Sequence, residues 1–183
     1  MKQVIHIYGA SGSGTSTLGK YISEQLDYFL IDTDDYFWEP TNPPYTTKRC
    51  PSSRIELIRK DIERHDNVVI SGSLVGWGDE LMPLFTLAIR IETAADIRLQ
   101  RLKIREREKF GSRIDIGGDM YDNHMKFINW AASYDDGGMD MRSKRKHDHW
   151  EKQLGCPLIL VDGSMPVSEN FELIKEKYDI NQK

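Results

Sequence analysis

Short apolar runs alternate along the chain with longer stretches whose apolar positions recur every three or four residues. Val4-Ile5-His6-Ile7-Tyr8 has the β-branched, apolar character of a buried strand and runs into glycines. From Thr15 onward, Leu18, Ile22 and Leu26 share one helical face. Phe29-Leu30-Ile31-Asp32 reads as a second strand, followed by a proline-rich loop over 39–51. Ser53 with Glu56 three residues on has capping-box spacing, which predicts a helix start before Ile55, Ile58 and Ile62. Strands three and four fall at 67–71 and 84–91, and Thr93 opens a charged helix that runs to about Lys109. A Gly- and Asp-rich stretch over 111–119 then interrupts the pattern. Helical segments follow around 121–135 and 140–154, then a strand at 157–163 and a closing helix near 166–178.

Parallel neighbours need crossover connections, so strands separated by helices predict a parallel sheet covered on both faces. Short, almost wholly apolar strands suit a sheet buried from both sides. The expected architecture is a three-layer α/β fold with about five strands and a helical insertion over about 98–154. At 183 residues the whole chain, 1–183, reads as a single domain. Its 25 Lys+Arg against 29 Asp+Glu leave a net charge of −4, which argues against a long nucleic acid as partner. No apolar run approaches the length of a membrane span, and the N-terminal run ends in glycines rather than in a cleavage-like site. With only Cys50 and Cys156, neither a disulfide framework nor a zinc set is available, and a reducing, cytoplasmic setting is expected.

The sharpest motif is Gly9-Ala10-Ser11-Gly12-Ser13-Gly14-Thr15-Ser16, between a strand and a helix. A Walker A loop has Gly, four residues, Gly, Lys, then Ser or Thr; here Thr15 stands at the lysine position. Backbone N–H groups and a helix N-terminus do most of the work of such a loop, and those survive the change. Gly9, Ser11, Gly12, Ser13, Gly14, Thr15, Ser16 and Thr17 are therefore the expected phosphate cradle, with the Ser16 hydroxyl on a Mg²⁺ ion. Lys20, five residues further along the helix, points away from the loop mouth. A dinucleotide fingerprint fails, because Thr17 stands where a third small residue is needed.

With this loop, the chain resembles the P-loop kinases of the adenylate kinase and nucleoside kinase group, over essentially its whole length. The resemblance implies a P-loop NTPase fold, ATP and Mg²⁺ as cofactors, and a small-molecule acceptor. Asp32-Thr33-Asp34-Asp35-Tyr36-Phe37-Trp38 is similar to the acidic-aromatic stretch of uridine and nicotinamide riboside kinases. By that resemblance Asp34 or Asp35 is the base that activates the acceptor hydroxyl, Asp34 also serves the metal, and the aromatics stack on a base or pack the pocket. Read as a continuing strand, the segment turns Asp32 and Asp34 to one side and Asp35 to the other. No acid ends the third strand, where Ser71 and Ser73 stand, and Asp79 is either a site residue or a helix cap.

Residues 98–113 hold seven basic side chains against Glu106 and Glu108. At about 100° per residue, Arg98, Arg101 and Arg105 fall on one stripe framed by apolar positions. Mobile lids deliver such arginines to phosphate, so Arg101 and Arg105 are expected at the transferring phosphoryl group, and Arg98 and Arg113 on the nucleotide. The alternative for the stripe is a solvated charged face. Arg142, Lys144, Arg145 and Lys146 form a second basic cluster suited to acceptor phosphate or base. Trp130 and Phe127 are expected in the core, and His147 and His149 in solvent. Gly163, after the last strand, would let an adenine ring approach the backbone. The functional expectation is an ATP-dependent kinase transferring the γ-phosphoryl group to a nucleoside, nucleotide or similar acceptor. The alternative is a catalytically weak nucleotide sensor, which the absent lysine favours.

Overall fold

Five parallel strands build one sheet in the order β2-β3-β1-β4-β5. They are β1 (Val4–Gly9), β2 (Phe29–Asp32), β3 (Val68–Ser71), β4 (Leu87–Glu92) and β5 (Leu158–Asp162). A computed structural model describes residues 2–179 of the chain. The crossovers include α1 (Thr15–Leu26), α3 (Pro51–Arg64) and α4 (Ala95–Phe110), and α7 (Val167–Lys177) follows β5. β1 lies at the centre, pairing Ile7 with Ser71 on one side and with Ile89 on the other. Its side chains alternate between two cores. Val4 and Tyr8 pack with Ile58, Ile70, Leu74 and Trp150, while Ile5 and Ile7 pack with Ile22, Val69, Ile89 and Phe171. β1 and β3 are buried at every residue, as continuous apolar runs require. The edge strand β5 is covered on one face only, leaving Leu158, Leu160 and Asp162 outward.

Three local expectations change. The Ser53–Glu56 capping box does not form: Pro51 opens α3 and Cys50 precedes it without a side-chain cap. A proline at the first helical position lacks the N–H that would need a cap and already has helical φ, so it starts the helix three residues early. Residues 79–84 form a 3₁₀ turn around Pro83, so β4 begins only at Leu87. Thr93 does not open α4; its hydroxyl donates to the Ser13 carbonyl at 3.1 Å instead.

The insertion runs from α4 through a 3₁₀ turn at 111–114, α5 (Tyr121–Ala132), α6 (Lys144–Trp150) and a second turn at 151–153. Side chains along α6 and the following turn fasten it to the sheet. Trp150 enters the core beside Tyr8, and Arg90 of β4 meets Asp148 at 2.6 Å and Glu151 at 2.7 Å. His147, expected in solvent, is fully buried: Ser73 Oγ lies 2.8 Å from Nε2 and the Tyr134 hydroxyl 2.7 Å from Nδ1. It sits one helical turn before Trp150, on the face that α6 turns to the sheet. Burial, helped by the positive charges of Arg142 and Arg90, lowers its pKa to about 2 and keeps the ring neutral.

Candidate active site

The phosphate loop connects the last residue of β1 to the first turn of α1. Gly12 and Gly14 hold φ values of 80° and 109°, which side chains disfavour. At Gly12 a Cβ would also lie 2.6 Å from the Arg98 carbonyl, so the loop rests against the start of α4. No side chain caps α1, and the N–H groups of its first turn have no intrahelical acceptor, the arrangement that receives anions. Two neighbours brace the loop from behind. Thr93 holds the Ser13 carbonyl, and a Cβ on Gly163 would lie 2.3 Å from that same oxygen. Gly163 is thus small because two chain segments meet there, the space a side chain would need being filled by Thr93, Ser13 and Ile91. Ser13 also turns inward, its hydroxyl buried without a partner and its N–H bonded to Ala10.

Beyond β2 the chain does not continue as a strand. Residues Thr33–Phe37 form the short helix α2, and Asp32 caps it, accepting the Asp34 N–H at 3.1 Å. Acidic residues after a cap favour this helix through its dipole. The other Asp32 oxygen accepts the Ser16 hydroxyl at 3.2 Å. Asp32, rather than Asp34, is therefore the acid that meets Ser16. Ser16 and Asp32 offer hard oxygen donors, which fit Mg²⁺, an ion that keeps several waters and takes further oxygens from phosphates. No group of three or more His, Cys, Asp or Glu side chains suited to a metal occurs among the described residues.

Asp34 keeps contact with solvent, yet the protein around it and the Asp32 charge raise its pKa; Arg142 and Arg105 oppose the shift. Desolvation and Asp32 likewise raise Asp35, with Lys109 opposing. Tyr36 leaves the site to bond Asp61 at 2.6 Å. Phe37, Trp38, Tyr45 and Trp77 form an aromatic wall, and the Arg54 guanidinium lies 3.8 Å over the Phe37 ring. Asp79 has a structural task, accepting from the Gly76 N–H and the Trp150 indole.

The arginine stripe divides. Arg98 is 1% exposed, bonded to the Thr93 carbonyl and Asp135 and set over the Tyr134 ring. Expected on the nucleotide, its guanidinium is instead engaged by the Thr93 carbonyl, Asp135 and the Tyr134 ring, while its backbone carbonyl lies against Gly12 of the loop. Arg101 is exposed and donates to the Gly163 carbonyl at 2.9 Å. Arg105 is exposed and its charge reaches Asp34. Arg113 pairs with Asp119 and donates to Asn42 at 3.3 Å, so it contacts the proline-rich loop rather than the phosphate loop.

Two further arginines join the site: Arg54, which the sequence did not single out, and Arg142, which it placed in a basic cluster for acceptor phosphate or base and not at the phosphate loop. Arg54 sits on α3 one residue before the apolar face of Ile55, Ile58 and Ile62, and no pattern marks it as buried. Arg142 crosses from the segment before α6 to the phosphate loop, donating to Ser11 Oγ at 2.5 Å. Its guanidinium stacks 4.5 Å over Trp130, which is 36% exposed and not a core residue. A groove of about 520 Å³ opens behind the loop, lined by Ala10, Thr93, Tyr134, Leu160, Asp162 and others, away from Ser16 and Asp34.

A solved structure of shikimate kinase from Bacteroides thetaiotaomicron superposes with a TM-score of 0.61, covering 97% of this chain and 99% of that one at 16% identity. The uridine kinase of Clostridium botulinum (strain Okra / Type B1) is 24% identical over 176 residues, 73% of this chain and 85% of its own. No family model matches. The sheet order, the phosphate loop and these likenesses define the class: the chain has the fold of P-loop kinases. Within that class it belongs to the family of the uncharacterized protein YqaC of Bacillus subtilis (strain 168), 38% identical over 181 residues, 99% of this chain and 100% of that protein.

Proposed function

We propose that the protein is an ATP- and Mg²⁺-dependent phosphotransferase acting on the hydroxyl of a nucleoside, nucleotide or similar small acceptor. The observation that carries this reading is the meeting of the phosphate loop with two acids of different duty at the ends of β1 and β2. Asp32 lies on Ser16, and Asp34, two residues on, feels the charges of Asp32 and of Arg142 and Arg105. Open α/β sheets bind ligands at this edge. In the reaction the acceptor oxygen bonds to the γ-phosphorus while its proton passes to Asp34. The bond from that phosphorus to the β–γ bridging oxygen breaks, and ADP leaves with the electron pair. Ser16 and Asp32 would hold Mg²⁺, which neutralises phosphate charge when bound. Arg105 faces the developing charge, and Arg101 grips the loop after β5 beside the phosphate loop. The uridine kinase relatives favour a nucleoside-like acceptor, and the aromatic wall of Phe37, Trp38, Tyr45 and Trp77 suits a planar ring.

The absent Walker lysine supports a second reading, a nucleotide sensor with little turnover. Incubating the protein with ATP, Mg²⁺ and a panel of nucleosides and nucleoside monophosphates separates the two. Acceptor-stimulated release of ADP is the expected result. ATP that raises Tm with no acceptor-stimulated turnover selects the sensor.

A further inference from the structure

The site contains a cation that its loop does not encode. Lys20 cannot supply the missing charge, because it lies on the surface 3.8 Å from Glu24. Arg101 is committed to the Gly163 carbonyl and Arg98 to Asp135. Arg142 differs from its neighbours. Arg49, Arg90, Arg98, Arg107 and Arg113 each have a carboxylate partner, whereas Arg142 makes no ion pair among the described residues. Instead it leans on an indole face and donates to the hydroxyl of a loop residue, Ser11. A guanidinium drawn into protein with no carboxylate in direct contact, and only the Asp34 charge within reach, is costly unless a further anion completes the site. Its planar fork matches phosphate oxygens in two places at once, and an aromatic platform leaves its N–H edge free to do so.

We infer that Arg142 supplies the positive charge that lysine carries in a Walker A loop, contacting the terminal phosphates of the bound donor from outside the loop, with Trp130 as its positioning residue. The inference rests on the kinase reading only in taking the donor to be a polyphosphate. It assigns the charge to the insertion, so that a segment more than a hundred residues from Thr15 completes the phosphate site.

Binding measured without an acceptor tests it. For the unmodified protein and Arg142→Gln, affinities for ATP, AMP and inorganic tripolyphosphate are compared by calorimetry. Loss of a charge-assisted contact should weaken ATP and tripolyphosphate by about tenfold or more. AMP, which lacks the terminal phosphates, should bind almost unchanged. Unchanged ATP and tripolyphosphate affinity, or an equal loss for AMP, overturns the inference and leaves the kinase reading standing. An unmodified protein that binds ATP no more tightly than AMP overturns both. Should Arg142→Gln fail to fold, tripolyphosphate is titrated into the unmodified protein and Trp130→Phe while indole emission is followed. A change in the first that is missing from the second is expected, and any other pairing overturns the assignment.

Discussion

Asp34 and Asp32 are two residues apart, yet local structure gives them different chemistry. Asp32 spends one oxygen on the helix cap and the other on Ser16, while Asp34 is left in a position that disfavours its charge. A raised folded-state pKa means that the folded protein holds this proton more tightly than the unfolded chain does. Its contribution to stability is therefore present at low pH and lost as pH rises through the folded value. At neutral pH the ionised carboxylate works against folding. Asp34→Asn should raise Tm while cutting acceptor phosphorylation about a hundredfold or more, the usual contribution of a general base. The acidic limb of the rate profile should lie above the ordinary carboxylate value and vanish in this variant. Asp35→Asn, measured beside it, should keep the limb. A limb that follows Asp35 instead would assign the base there.

At the scale of elements, the phosphate loop depends on the two connections packed behind it. A methyl group on Gly163 would meet the Thr93 hydroxyl at 2.2 Å and the Ser13 carbonyl at 2.3 Å. Since Arg101 also holds the Gly163 carbonyl, the β5–α7 connection must move and take both contacts with it. Gly163→Ala should cost about 1–3 kcal/mol in stability, as overpacked sites do, and weaken ATP binding. Wild-type ATP affinity together with an unchanged Tm would remove this bracing from the account. The same elements show what was legible in the sequence. The strands of β1, β2 and β3, the loop and α1 announce themselves because period and glycine placement are local signals. Residues 33–37 did not, because acidic residues after an Asp cap favour a helix that a strand reading of the same letters overlooks. Arg54 was illegible, and Arg142 legible only as one member of a basic cluster, for a different reason: a buried arginine has the same letter as a solvated one, and only tertiary packing against Phe37 or Trp130 distinguishes them. The burial of His147 is hidden likewise, since a charged-looking run gives no hint that one of its residues faces the sheet.

For the whole molecule, the insertion and the sheet are joined through polar groups that are buried in one protonation state. His6, in the centre of β1, is fully buried, with Nε2 3.0 Å from the Gly72 carbonyl and Nδ1 without a partner. Burial lowers its pKa from 6.5 to about 4, and His147 is lowered further by burial and the arginines near it. Both rings are neutral when folded and free to protonate when unfolded. Their contribution to stability is therefore complete above about pH 6.5 and is lost as pH falls toward the folded values. Within that window each can change stability by up to about 1.4 kcal/mol per pH unit. The loss bears on function because His147 bridges Ser73, just beyond β3, to Tyr134, and α6 begins two residues after Arg142. Acid should loosen the insertion and withdraw Arg142 from Ser11 together. Tm measured from about pH 7.5 to about pH 5.5 should fall steeply in the unmodified protein and less steeply in His147→Gln, which keeps polar atoms but cannot protonate there. ATP affinity should weaken over the same range in the unmodified protein. Equal slopes for the two proteins would show that this histidine does not couple the insertion to the sheet.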